Sequence, residues 1–96
     1  MSSLTEIADV TALSDAELGL LLNRLEREER DVSRHRSKLH DQIDFVQAGG
    51  FAAAGSADDQ LAWLRATERK LSERRHHLHL QIDALRVERS QRRRTP

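Results

Sequence analysis

From Leu18 onward, apolar residues return every three or four positions. Leu18, Leu25, Val32, Leu39 and Val46 occupy the d position of a seven-residue repeat, and Leu22 and Ile43 occupy a. After a break at Gly49-Gly50 the pattern resumes. Leu61 and Ile82 stand at a, and Leu64, Leu71, Leu78 and Leu85 at d. A 3.5-residue period of this kind marks a coiled-coil seam. Two such segments joined by a short connector predict an all-α fold, an antiparallel two-helix coiled-coil hairpin.

The helix ends are also written in the sequence. Ser14-Asp15-Ala16-Glu17 is a capping box, a Ser N-cap with Glu three residues on. From there to Gln47 only Gly19 disfavours a helix. Gly49 and Gly50 stop the first helix, and Ser56 with Asp59 signals the start of the second. The predicted hairpin covers residues 14–92, with helices at about 14–47 and 56–92 and a connector at 48–55. Residues 1–13 read as a flexible lead-in and 93–96 as a basic tail.

The seam is interrupted where it should be most apolar. The a positions between the aliphatics are Glu29 and Arg36 in the first segment, Glu68 and Arg75 in the second. A charge buried in a seam costs several kcal/mol unless it is paired. These residues belong to a longer pattern that occurs twice, 39 residues apart. It reads Glu29, Ser33, Arg36, His40, Asp44, and then Glu68, Ser72, Arg75, His79, Asp83. Between residues 22–44 and 61–83, 11 of 23 aligned positions are identical, which identifies an internal repeat rather than a coincidence of charges. At about 100° per residue the five positions lie within an arc of roughly 80°, so each helix carries one polar stripe along the seam's edge.

A connector centred near residue 52 opposes residues whose numbers sum to about 104. That pairs Glu29 with Arg75 and Arg36 with Glu68, around a pseudo-twofold axis near Ser33 and Ser72. Two interhelical ion pairs that fix register are one sufficient reading, and they give a purely structural coiled-coil adaptor, open to dimerising as a four-helix bundle. Ion pairing of that kind leaves the serines, the histidines, Asp44 and Asp83 without a role. A twofold-symmetric ligand gives each of them one. An Arg fork donates to guanine O6 and N7, a carboxylate accepts from a guanine Watson–Crick edge, and Ser and His donate to phosphate. The residue types suit a guanine-rich, phosphorylated ligand.

The spacing resembles the c-di-GMP-responsive anti-sigma factor RsiG family of actinobacteria. In that family each helix of an antiparallel coiled coil carries Glu-x3-Ser-x2-Arg-x3-Gln-x3-Asp. Glu29, Ser33, Arg36 and Asp44 match the first copy, and Glu68, Ser72, Arg75 and Asp83 the second, with His40 and His79 in place of Gln. The resemblance implies a c-di-GMP dimer, two molecules per hairpin, bound across both stripes. It also implies capture of a WhiG/FliA-type sigma factor by the loaded protein. On this reading Arg36 and Arg75 read guanine edges while Glu29 and Glu68 hold the arginines. Asp44 and Asp83 accept from Watson–Crick edges, and Ser33, Ser72, His40 and His79 meet phosphate or ribose.

Composition narrows the remaining classes. The 96 residues contain three aromatics, one Pro and no Cys, and a third are charged, which is coiled-coil composition. No thiolate metal site or disulfide framework is available, and His76 and His79 lack a third ligand apart from Asp83, so no metal or cofactor is expected. No nucleophile–base pair in a pocket is evident and no enzyme is expected. No apolar run approaches the ~18 residues that span a bilayer, and a cytoplasmic protein without membrane contact is expected. Net charge is zero, and with three aromatics no interleaved basic–aromatic nucleic-acid surface is present, so direct DNA binding is not expected. A local exception is the run Arg86, Arg89, Arg92, Arg93, Arg94, read as a solvated, frayed helix end, with a nucleic-acid or acidic-partner contact as the alternative. Leu20 and Leu21 are candidate partner contacts. Trp63 is expected to pack on the seam edge, and His35, His76 and His77 to be solvated.

Overall fold

The computed structural model describes residues 9–50 and 56–94. Two helices dominate it, α1 (Asp15–Gln47) and α2 (Ala57–Arg94), preceded by a 3₁₀ turn at Val10–Ala12. They pack against each other as an all-α hairpin, and no strand occurs among the described residues. Most of the lead-in, the middle of the connector and the last two residues lie outside the described range.

Each terminus is fixed by the chemistry its sequence advertises. The Ser14 N–H donates to Glu17 Oε1 at 2.9 Å while the Glu17 N–H donates to Ser14 Oγ at 3.1 Å, closing the capping box in both directions. These two bonds hold the Glu17 carboxyl below its ordinary pKa, the backbone donor contributing most. Ser56 Oγ likewise accepts from the Asp59 N–H at 3.1 Å to start α2. At the end of α1 the Gly50 N–H donates to the Phe45 carbonyl (2.8 Å) and the Gly49 N–H to that of Val46 (3.1 Å). This is a Schellman stop, with Gly49 in the left-handed region at φ 90°. Gly50 is needed for another reason: a Cβ there would lie 2.4 Å from the Phe45 ring and 2.5 Å from its carbonyl oxygen.

The described residues fall into two compact units. One joins residues up to Glu29 with those from His77; the other is Arg30–His76. In the first, Leu18, Leu22, Leu25, Leu78, Ile82 and Leu85 are buried. In the second, Leu39, Val46 and Leu64 form a buried cluster, with Ile43, Leu61 and Leu71 packed partly buried against it. Val32 is also buried. Every buried residue among those described sits at a predicted a or d position.

Two expectations need correction. Trp63 is 65% exposed, because it falls at the heptad's c position, which faces away from the seam. The C-terminal arginines do not fray as a group. α2 runs through Arg94, and Arg92 is clamped. Its Nε donates to Glu88 (2.6 Å), Nη1 to Asp15 (2.8 Å), and Nη2 to the carbonyls of Leu13 (2.7 Å) and Val10 (3.2 Å). One guanidinium fork thus ties the 3₁₀ turn and the start of α1 to the end of α2. Glu88 first, then Asp15, push the Arg92 pKa up.

Candidate functional site

The polar stripe of the Arg30–His76 unit is built around one carboxylate oxygen. Glu68 Oε1 accepts from the Ser72 hydroxyl at 2.7 Å and from Arg36 Nε at 3.1 Å, and lies 3.2 Å from His40 Nε2. An ionised carboxylate offers only acceptors, so His40 carries a proton on Nε2. Arg36 Nε also donates to Ser72 Oγ at 2.8 Å, and Arg75 Nε donates to Ser33 Oγ at 2.9 Å. Ser72 first, then His40, hold the Glu68 carboxyl below its ordinary pKa against the opposing effect of desolvation, and Arg36 adds a weaker pull in the same direction as Ser72 and His40. In the other unit His79 Nε2 lies 3.5 Å from Glu29 Oε1.

These contacts extend the predicted pairing. The Arg36–Glu68 ion pair forms as the heptad implies. Arg36 with Ser72, Arg75 with Ser33, His40 with Glu68 and His79 with Glu29 are further partners, whose numbers each sum to 108. In these pairs Glu of one copy meets His of the other, and Ser meets Arg.

The consequence is a third correction. The serines and histidines are not left over from the ion pairs; they are part of them. Of the ten stripe residues, eight have a partner on the opposite helix. Asp44 and Asp83 do not: both are exposed, and among the described residues neither carboxylate has a hydrogen-bond or ion-pair partner. The seam charges are also less costly than their position suggested. Glu29 and Glu68 side chains keep 20% of their exposure and Arg36 keeps 36%, and no charged residue is fully buried among those described. The a positions lie at the rim, within reach of water and of anything that lands on it.

What the arrangement offers is a set of forks and acceptors already oriented by one another. Arg36 and Arg75 use Nε internally. His35, His76 and His77 are exposed beside the stripe. Among the described residues no group of three or more His, Cys, Asp or Glu is placed to hold a metal ion, and no helix is long and apolar enough to cross a membrane.

The class these elements define is an all-α helical hairpin that carries two copies of one polar motif along its seam. Residues 5–62 match the family model described as RsiG-like, and the chain belongs to that family. Membership gives it an anti-sigma role in general terms and a sigma factor as partner, in a family that is not one of enzymes. No curated protein and no solved structure matches the chain. The family match contains the first motif copy whole and ends before the second, so the equivalence of Glu68–Asp83 to Glu29–Asp44 is carried by this chain's own repeat and by the pairing of the two copies.

Proposed function

We propose that this chain is a c-di-GMP-gated anti-sigma factor. Two c-di-GMP molecules bind across the stripes, and the loaded hairpin sequesters a WhiG/FliA-type sigma factor in the cytoplasm. The observation that carries this reading is the duplicated motif whose copies face each other with pseudo-twofold symmetry, in a chain of the RsiG-like family. A ligand that is itself twofold-symmetric meets the same groups in each half.

The chemistry is an exchange of partners. Arg36 and Arg75 turn their forks from Ser72, Glu68 and Ser33 toward guanine O6 and N7. Ser33, Ser72, His40 and His79, relieved of those bonds, donate to phosphate. Asp44 and Asp83, which have no partner among the described residues, accept from guanine N1–H and the exocyclic amine. Glu29 and Glu68 keep the arginines aimed. His40 and His79 replace the family's Gln with a donor of the same reach.

The adaptor reading is favoured by one specific observation: eight of the ten stripe residues are satisfied without any ligand. Calorimetry with c-di-GMP, c-di-AMP and GTP on the native chain and on Arg36→Ala separates the two. The gated reading requires c-di-GMP binding that Arg36→Ala weakens. An adaptor binds none of the three. Melting adds a second arm, since a ligand at 100 times its Kd stabilises the fold by about 2.7 kcal/mol.

A further inference from the structure

A cleft of about 270 Å³ lies in the unit that joins the start of α1 to the end of α2, away from the polar stripe. Asp15, Leu18 and Gly19 of α1 and Arg89, Arg92 and Arg93 of α2 line it. Three features of this cleft have no explanation inside the chain.

The first is Gly19. It sits in the interior of a 33-residue helix, where glycine costs roughly 1 kcal/mol against alanine. A helical glycine is ordinarily kept for close packing or for a left-handed backbone. Here neither applies: φ is not positive, and a Cβ at this position would meet nothing within 4 Å. The missing methyl leaves open floor in the cleft. The second is the pair Arg89 and Arg93, one helical turn apart. Both are exposed, and among the described residues neither has an acceptor. The third is charge. Arg92 pairs with Asp15 at 2.8 Å and Glu88 at 2.6 Å, and the three arginines against these two carboxylates leave an excess of positive charge at the cleft. The volume falls below the ~300–1,000 Å³ of small-molecule pockets and suits a single side chain better than a nucleotide.

We infer that this cleft is the seat for an acidic side chain of the captured partner protein, which approaches over Gly19 and is clasped by Arg89 and Arg93. The identity of the occupant rests on the anti-sigma role; the cleft's preference for a carboxylate does not, nor does it involve c-di-GMP.

The test is an NMR titration of the full-length chain with the dipeptide acetyl-Glu-Glu-amide at constant ionic strength. Expected are saturable shifts at the Gly19 amide and the Arg89 and Arg93 Nε–H groups. Binding should be roughly tenfold weaker in Arg89→Gln/Arg93→Gln, the worth of a lost charge-assisted hydrogen bond. Gly19→Ala should raise Tm yet weaken the dipeptide. Shifts spread evenly over all exposed arginines overturn the proposal, as does a Gly19→Ala chain that melts lower or binds the dipeptide unchanged. A short DNA duplex that perturbs the same three residues more strongly overturns the choice of a protein carboxylate. Calorimetry of Gly19→Ala with c-di-GMP should match the native chain, so failure of c-di-GMP binding in both tells against the gating reading and leaves the cleft standing.

Discussion

The two units of this chain use the same heptad for opposite ends. In the unit that pairs residues up to Glu29 with those from His77, the a positions Leu22 and Ile82 are buried beside four buried d leucines, and Leu18, Leu22 and Leu85 are at or below 2% exposure. In the Arg30–His76 unit the a positions include Arg36, Glu68 and Arg75, and the aliphatics Ile43, Leu61 and Leu71 are only partly covered. One unit spends its seam on packing. The other gives up part of that packing for hydrogen bonds worth only about 1 kcal/mol net apiece. A regulator needs both: a clamp that holds the helices together, and a polar rim whose partners are weak enough to be exchanged.

The largest expected effect tests that contrast directly. Leu85→Ala, at a fully buried site, should cost about 2–5 kcal/mol, whereas Leu71→Ala, half-buried in the polar unit, should cost clearly less, roughly 1–2 kcal/mol. Urea unfolding followed by far-UV circular dichroism measures both. Equal costs would abolish the distinction between clamp and rim.

Next comes the rim itself. Arg36→Ala removes donors from Glu68 Oε1 and Ser72 Oγ but leaves Ser72 and His40 on the carboxylate, and Glu68 retains access to water. The cost to the free hairpin should therefore be about 1 kcal/mol or less. A double-mutant cycle of Arg36→Ala with Ser72→Ala should return a coupling of about 0.5 kcal/mol or more, since the two share a 2.8 Å bond. Additivity within error would mean that the bond contributes nothing, and that the rim's order comes from the helices alone.

How much of this was legible follows from what each signal depends on. The seam, both N-caps and the glycine stop are local patterns of period and chemistry, and Leu18 through Leu85, Ser14, Ser56 and Gly49 all act as the sequence implies. The stripe was legible as ten residues on matching helix faces. Its pairing was legible in part: the Arg36–Glu68 ion pair forms as the heptad implies, while the Ser–Arg and Glu–His contacts reach across the hairpin, which no spacing within one helix announces. The serines and histidines have structural partners, and the case for a ligand rests on Asp44, Asp83, the twofold order and the family. Of the Arg92 clamp only the Glu88 pair, one helical turn away, is a local pattern; Asp15 and the carbonyls of Val10 and Leu13 lie some eighty positions away, and no local pattern announces them.

A smaller effect separates the helix start from the seam. Ser14→Ala removes the hydroxyl that accepts from the Glu17 N–H, for which about 1 kcal/mol is typical, and leaves the backbone N–H of position 14 to donate to Glu17 Oε1. Arg92 still holds Asp15 and the carbonyl of Leu13. The damage should stay local: amide hydrogen exchange faster over the first turn of α1, and unchanged at Leu39 and Leu64. Acceleration through both units would show that the cap is coupled to the whole seam.

The smallest expected effect is the response of the rim to acid. The folded pKa of Glu68 lies below its ordinary value of 4.5, so the folded state holds this proton less tightly than the unfolded chain. The carboxylate's contribution is therefore complete above the ordinary value and fades as pH falls through the depressed one. The effect is modest because the side chain is still 20% exposed and its charge is screened. Comparison with Glu68→Gln isolates it. At pH 7 the native chain should melt higher, since Gln offers its donors a weaker, uncharged acceptor. The gap should narrow below pH 4.5 and close at the acid end, where Glu68 is itself neutral. A gap that persists undiminished into strong acid would mean that the amide fails by shape rather than charge. The rim would then be a packed device like the clamp, and the contrast between the two units would lose its electrostatic basis.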